Sequence, residues 1–370
     1  MSDVDVEKPG WLADREEQAR TWRESMDAVV AGLVDTEKLR GFVEGAVGMP
    51  GRSVGNTALV LFQFAQLKES GLVSADRPTA CLGFHEWKAR GRHVQTGQQG
   101  MKILRPVTGR LIPSGVVGAG GKTKMRVLRS GEQPPEGVVP KVKVFGFQAS
   151  TVFDVSQTEG YPIVSRDKTA PAPDLVRDAV AAELRRLGYG VRLGAGQEMD
   201  DRMVSASLGA LTLPGENLVL IRSEDTVTQV EALTHELGHI TMGHAGQHST
   251  RRGRKEVEAD VVAGMLNMAY GLNTWPIQEG YDSAWAGAEN VTQMVGKTLD
   301  SARRRAGEHS ASIAASVGVA DPLAPLEIPP VGAAAQALKE TGIQSSAIEV
   351  APHETANVPP PLVRIDQPGM

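Results

Sequence analysis

A single cysteine, Cys81, stands in 370 residues, so the chain can close no internal disulfide and build no cysteine-based zinc cluster. Aromatic residues are scarce, at 4%. The longest apolar run, residues 58–65, is far too short to cross a bilayer. The opening stretch MSDVDVEKPG is acidic and lacks the apolar core of a secretory signal. Neither sign of charge dominates, the net charge being −5. These absences lead us to expect a soluble cytoplasmic protein with no membrane partner, of two domains and a tail.

What is present is a metal-ligand spacing. His235-Glu236-x-x-His239 places two imidazoles four residues apart, on one face of a helix, as two ligands of one tetrahedral zinc require. Glu236 lies beside the first histidine, placed to take a proton from a water at the metal rather than to bind it. Thr226 with Gln229 reads as a capping box, and Val230, Leu233, Leu237 and Ile240 form an apolar stripe. Glu256 in Glu256-Val-Glu-Ala-Asp260 is the expected third ligand, on a second helix beginning near Arg254, with Glu258 as the alternative. Asp260, one turn on, can accept a hydrogen bond from a ligand histidine. His244 and His248 do not fit a longer zinc motif and read as surface residues. The expected cofactor is one Zn2+ per chain.

Residues 12–33 read as a solvent-facing helix, Asp35 as the cap of a second helix through Val47, and Asn56 as the cap of a third, ended by Gly71. Short β-like runs follow at 102–106, 125–128 and 142–147. Between Arg77 and Lys143 thirteen cationic side chains face three glutamates, Glu86, Glu132 and Glu136. A basic sheet with interleaved rings suits single-stranded nucleic acid, cations following phosphates and rings stacking on bases. Gly118–Thr123 resembles the end of a phosphate loop, but Val116 stands where its first glycine belongs, so a hairpin tip is expected. Residues 165–173 read as a linker. A helix from Pro173 to Leu187 and a hairpin at 209–222 then lead into the metal helix. A strand just before such a helix can receive a peptide as an added strand. A further helix is expected over 290–305, and the Pro/Ala-rich tail, 310–370, is expected to be disordered.

Three blocks together carry a resemblance. Ser53-Val-Gly-Asn56, Phe84-His-Glu-Trp87-Lys-Ala-Arg-Gly91-Arg-His-Val94 with Ile103-Leu-Arg-Pro106, and Val152-Phe-Asp-Val-Ser-Gln157 resemble the N-terminal domain of ArdC-type antirestriction proteins. The HELGH and EVEAD blocks resemble the zincin-like peptidase domain that follows it there, which is related to ImmA/IrrE peptidases. The resemblance implies an α+β protein: a basic single-stranded-DNA-binding domain (1–164, with a helical extension 1–50), then a zincin-like metallopeptidase domain (174–309). It implies His235, His239 and Glu256 as ligands, Glu236 as the catalytic group, and a mobile-element protein protecting DNA from restriction.

The side chains expected at the DNA are Phe84, Trp87, Arg90, Arg92, Lys102, Arg105, Lys143 and Phe145. The expected partners are single-stranded DNA and a protein or peptide substrate. Tyr270 and Tyr281 are candidates for oxyanion stabilisation. Two other readings remain at this point. One is a regulatory endopeptidase of the ImmA/IrrE kind that cuts a repressor; the other is a DNA-binding protein with an idle, structural zinc domain.

Overall fold

The computed structural model describes residues 11–117, 121, 123–129, 131–161, 163, 170–244, 252–275, 285, 289–325 and 328. It is an α+β structure. Helix α1 (Trp11–Ala31) leads through a 3-10 turn into α2 (Thr36–Val47), which Asp35 caps by accepting the Lys38 N–H at 2.9 Å. Helix α3 (Val54–Glu69) is capped by Ser53, not Asn56 as expected. The expected solvent-facing character of α1 also fails: it packs on α3, and Ala19, Ser25 and Val30 are buried.

The Asn56 side chain has another use. Strands β3 (Met101–Val117) and β5 (Lys141–Asp154) form a long antiparallel pair, with β1 (Cys81–Leu82) beyond β5 and β4 (Thr123–Val127) beyond β3. Because β4 pairs only with the far half of β3, the near half presents an edge. Helix α3 closes it: the Asn56 amide meets both the N–H and the C=O of Leu104, and the Gln63 amide meets both those of Lys102. Pro106 falls in the same outward-facing register, where a missing N–H costs no ladder bond. Polar side chains thus satisfy what an exposed edge would leave open. Between these strands lie α4 (Phe84–Ala89) and β2 (Arg92–Val94), which pairs with β6 (Thr158–Gly160).

The second half opens with α5 (Pro173–Arg186), started by proline at its first turn as expected. Strand β7 (Gly190–Arg192) and helix α6 (Gly196–Asp201) precede the expected hairpin, β8 (Ala210–Leu213) and β9 (Leu218–Ile221). The sheet order is β7-β9-β8, so β8 is an edge. Helices α7 (Thr226–Thr241), α8 (Arg252–Ala269) and α9 (Val291–Val317) pack behind it. None of the described helices is long and apolar enough to cross a membrane.

Two expected boundaries change. Much of the 165–173 linker lies outside the described residues; one apolar cluster, Met49 to Val152, lies wholly before it, and a second runs across it. Leu39, Phe42 and Val43 of α2 share one apolar cluster with Val257 and Val261 of α8 and Leu299 of α9. Each such side chain contributes roughly 1.5–3 kcal/mol when fully buried, so helix α2 packs into the same core as α8 and α9. The tail expected to be disordered from 310 instead continues α9 to Val317, with Ser310, Ile313 and Ala314 buried and Leu323 folded back. Composition gave no sign of this, because alanine and serine on the buried face of a long helix need little volume.

Candidate metal centre and nucleic-acid interface

Helix α7 begins at Asp225, whose carboxylate accepts the Thr228 N–H at 2.9 Å; Thr226, the expected cap, is the first helical residue. Val230, Leu233 and Leu237 are fully buried, which fixes the rotation of α7 and turns His235 and His239 to its opposite edge. Gly238 sets the distance to α8. A Cβ there would lie 2.8 Å from the Cα and the carbonyl oxygen of Ala259, so the two backbones touch only because that side chain is absent. This approach lets the next turns of α8 reach the histidines.

His235 Nε2 and His239 Nε2 stand 3.0 Å apart, and Glu256 Oε2 lies 3.5 and 3.4 Å from them. One ligand atom from each of the three falls within 4.8 Å of the others. Two imidazoles and a carboxylate, converging with no bulky group between them, fit a divalent metal. Without an ion the same proximity is strongly electrostatic. Burial pulls the His235 imidazole down, but the Asp260 and Glu256 carboxylates more than offset this and raise it to about 10. Burial pushes Glu256 up, and the two histidines outweigh it and hold it well below its usual range.

Ligation through Nε2 requires each ring to carry its proton on Nδ1. For His235 that Nδ1–H donates to Asp260 Oδ1 at 2.7 Å, as expected, from a carboxylate that is 1% exposed. For His239 the partner is one the sequence reading placed on the surface. The His244 side chain is only 7% exposed, its Nδ1 3.0 Å from His239 Nδ1 and its Nε2 2.8 Å from Glu258 Oε2. Tautomer logic makes the chain directional: His239 donates to His244, which donates to Glu258. Glu258 is therefore not placed as a ligand. Burial raises its pKa, but His244 and Arg254, whose Nε lies 3.0 Å from Oε1, bring it below the ordinary value. The available signal was the spacing: a histidine just past the end of α7 can fold back beneath one on its last turn. His248 and Tyr281 lie outside the described residues. Tyr270 is no oxyanion donor, since it is buried and its hydroxyl donates to the Ser310 carbonyl at 2.7 Å.

Glu236 projects from α7 toward the hairpin and is buried, with its Oε2 accepting from the Thr212 hydroxyl on β8. The carboxylate beside the ligand set is thereby tied to the edge strand of the small sheet.

The residues expected at DNA do not share one surface. Trp87 is fully buried and donates to the Phe153 carbonyl at 2.9 Å, so it cannot stack on a base. Arg92 is buried too, holding β2 to β6 through Thr158 Oγ1 and O at 2.8 Å each. Both corrections have one cause: short elements such as α4 and β2 need side-chain anchors, and these are the anchors. Arg90 bonds to the carbonyls of Ile328 and Glu86, and Lys102 to Thr151 Oγ1. Phe145 lies over Gly109, where a Cβ would come 2.4 Å from its ring, and Lys143 is half-buried beside it in sequence. Phe84, 49% exposed, and Arg105 remain open to solvent, joined by Arg110, Lys124 and Lys141 on the far half of the sheet. That far half also exposes Val142 and Val144.

No family model and no curated protein matches the chain. Solved structures that resemble it include two of one protein. One is the metal-free crystal structure of the antirestriction ArdC protein from the R388 plasmid, at 18% identity and a TM-score of 0.47, covering 78% of this chain and 98% of that one. The other is the Mn(II)-bound structure of that protein, at 20% identity and a TM-score of 0.41, covering 75% and 98%.

Proposed function

We propose that the protein is a metal-dependent, peptidase-like hydrolase, with zinc as its ion, joined to a sheet that binds single-stranded DNA, and that it serves antirestriction. The observation that carries the hydrolytic reading is the convergence of His235, His239 and Glu256 with Glu236 alongside. Those three side chains would hold a divalent ion, which would supply Lewis acidity toward a water and a scissile carbonyl. Glu236 takes the proton of the attacking water and passes it to the leaving amine as the carbon–nitrogen bond breaks. Thr212 orients that carboxylate, and its strand β8 offers free edge groups along which a peptide can lie in extended form. Asp260 and the His244–Glu258 pair keep both ligand rings in the ligating tautomer.

The DNA-binding part draws on the sequence blocks that resemble ArdC-type proteins and on the exposed cations Arg105, Arg110, Lys124 and Lys141. The test is binding of a labelled single-stranded oligonucleotide at two salt concentrations. Wild type and Glu236→Gln are compared, with metal content determined on the same samples. Salt-sensitive binding by both, with about one metal per chain, supports the joined reading. Metal without DNA binding removes the DNA-binding half and leaves a hydrolase. DNA binding without metal removes the hydrolase.

A further inference from the structure

The turn joining α2 to α3 faces α9, to which the Val54 N–H is bonded through Asp300. Between them is a cavity of about 400 Å³, walled by Pro50 to Ser53 on one side and by α9 on the other, with Met265 and Leu323 completing it. Arg52, Arg303 and Arg304 all line it, against the single carboxylate of Asp300. That carboxylate is engaged, accepting the Val54 N–H at 3.2 Å. Arg52 spends one N–H on the Cys81 carbonyl at 2.7 Å, and Arg304 stands 4.0 Å from Glu308.

Arg303 is the anomaly. It makes no ion pair or hydrogen bond among the described residues, and its Nε is buried without an acceptor. Burial also lowers its pKa, with only partial relief from Asp300. A guanidinium whose Nε is cut off from water and meets no acceptor carries the cost of an unmet donor beside a charge that cannot be shed. Where that cost persists in a cavity with two more guanidiniums, the missing component is an anion. Its chemistry follows from the donors. Planar N–H forks at several angles suit the tetrahedral, multiply charged oxygens of phosphate better than a monovalent ion. The volume exceeds what a bare phosphate fills and lies in the range of small-molecule sites. The apolar wall of Pro50, Met265 and Leu323 offers a place for a non-ionic body.

We infer that this cavity binds a small phosphate-bearing molecule, its phosphate held by Arg303 with Arg52 and Arg304, at a site separate from the metal ligands. Filling it would add a ligand-mediated contact between the α2–α3 turn and helices α8 and α9.

The experiment uses the full chain, thermal melting and isothermal titration, with inorganic phosphate and with AMP as probes. Wild type should bind, and at roughly a hundredfold excess over Kd its Tm should rise by about 4 °C. Arg303→Met should abolish binding and melt higher than wild type in phosphate-free buffer, because the unpaired charge is gone. Should that variant fail to fold, Arg304→Gln at the cavity mouth serves, with binding weakened at least about tenfold. AMP binding tighter than phosphate would identify a nucleotide as the source; equal affinities would identify the free anion. Absence of binding by wild type, or binding undiminished in both variants, overturns the inference. Neither result bears on the metal centre, whose metal content is read separately.

Discussion

Replacing Asp260 by asparagine tests the most sharply defined hydrogen bond of the proposed metal site. The Asp260 carboxylate is 1% exposed and takes the His235 Nδ1–H at 2.7 Å. Asparagine keeps the shape and removes the charge. It can also turn an N–H toward Nδ1, which favours the tautomer with its proton on Nε2, where the metal must bind. The loss of such a partner costs about 10- to 100-fold in metal affinity, or about 1.4 to 2.7 kcal/mol. His244→Ala is the contrast. It removes a neutral imidazole from behind His239, and neutral hydrogen bonds are about half as strong as charge-assisted ones, so a loss of about tenfold or less is expected. The assay is competition for Zn(II) against a chromophoric chelator, with melting curves in excess chelator to show that the metal-free fold is intact. Unchanged affinity in Asp260→Asn, with normal melting, would refute the tautomer argument. A larger loss in His244→Ala than in Asp260→Asn would reverse the assignment of the stronger partner.

Glu236→Gln should keep the metal and lose cleavage of a peptide substrate by about 10²- to 10⁴-fold, measured as turnover on a metal-loaded sample. Gly238→Ala should cost about 1–3 kcal/mol in a urea titration and weaken metal binding, because the new methyl meets the Ala259 backbone. Charge reversal at Arg105, Arg110 and Lys141 should weaken oligonucleotide binding and flatten its salt dependence, whereas reversal at Arg92 should unfold β2 rather than act on DNA alone. Glu183 on α5 predicts acid sensitivity. Arg186, then Ser312 and His309, hold its carboxyl at about 2 against burial, below the ordinary 4.5. A depressed carboxylate stabilises above its unfolded pKa and loses that contribution as pH falls through its folded one. Between pH 4.5 and about 2 the protein should lose roughly 2 kcal/mol, allowing for solvent screening of the exposed Arg186 end. Glu183→Gln should flatten that limb of the urea midpoint against pH.

The sequence by itself determined whatever depends on short-range periodicity. A four-residue interval brings His235 and His239 to one helical edge wherever the helix lies, and the same interval brings Glu256 and Asp260 to one face of α8. Turn residues likewise fixed the β8–β9 hairpin and the start of α5. Distance in sequence hid the rest. Whether Trp87 and Arg92 meet solvent depends on β5 and β6, some 66 residues away in each hydrogen bond. That Asn56 would close a sheet edge depends on a strand 48 residues on. His244 meets His239 and Glu258 because the backbones of α7 and α8 touch at Gly238. Arg303 is unremarkable on an amphipathic helix until a turn some 250 residues earlier closes over it without supplying an acceptor. Composition can count charges and rings, but burial decides which of them are partnered and which are left waiting for a ligand, and burial is a property of the packed chain.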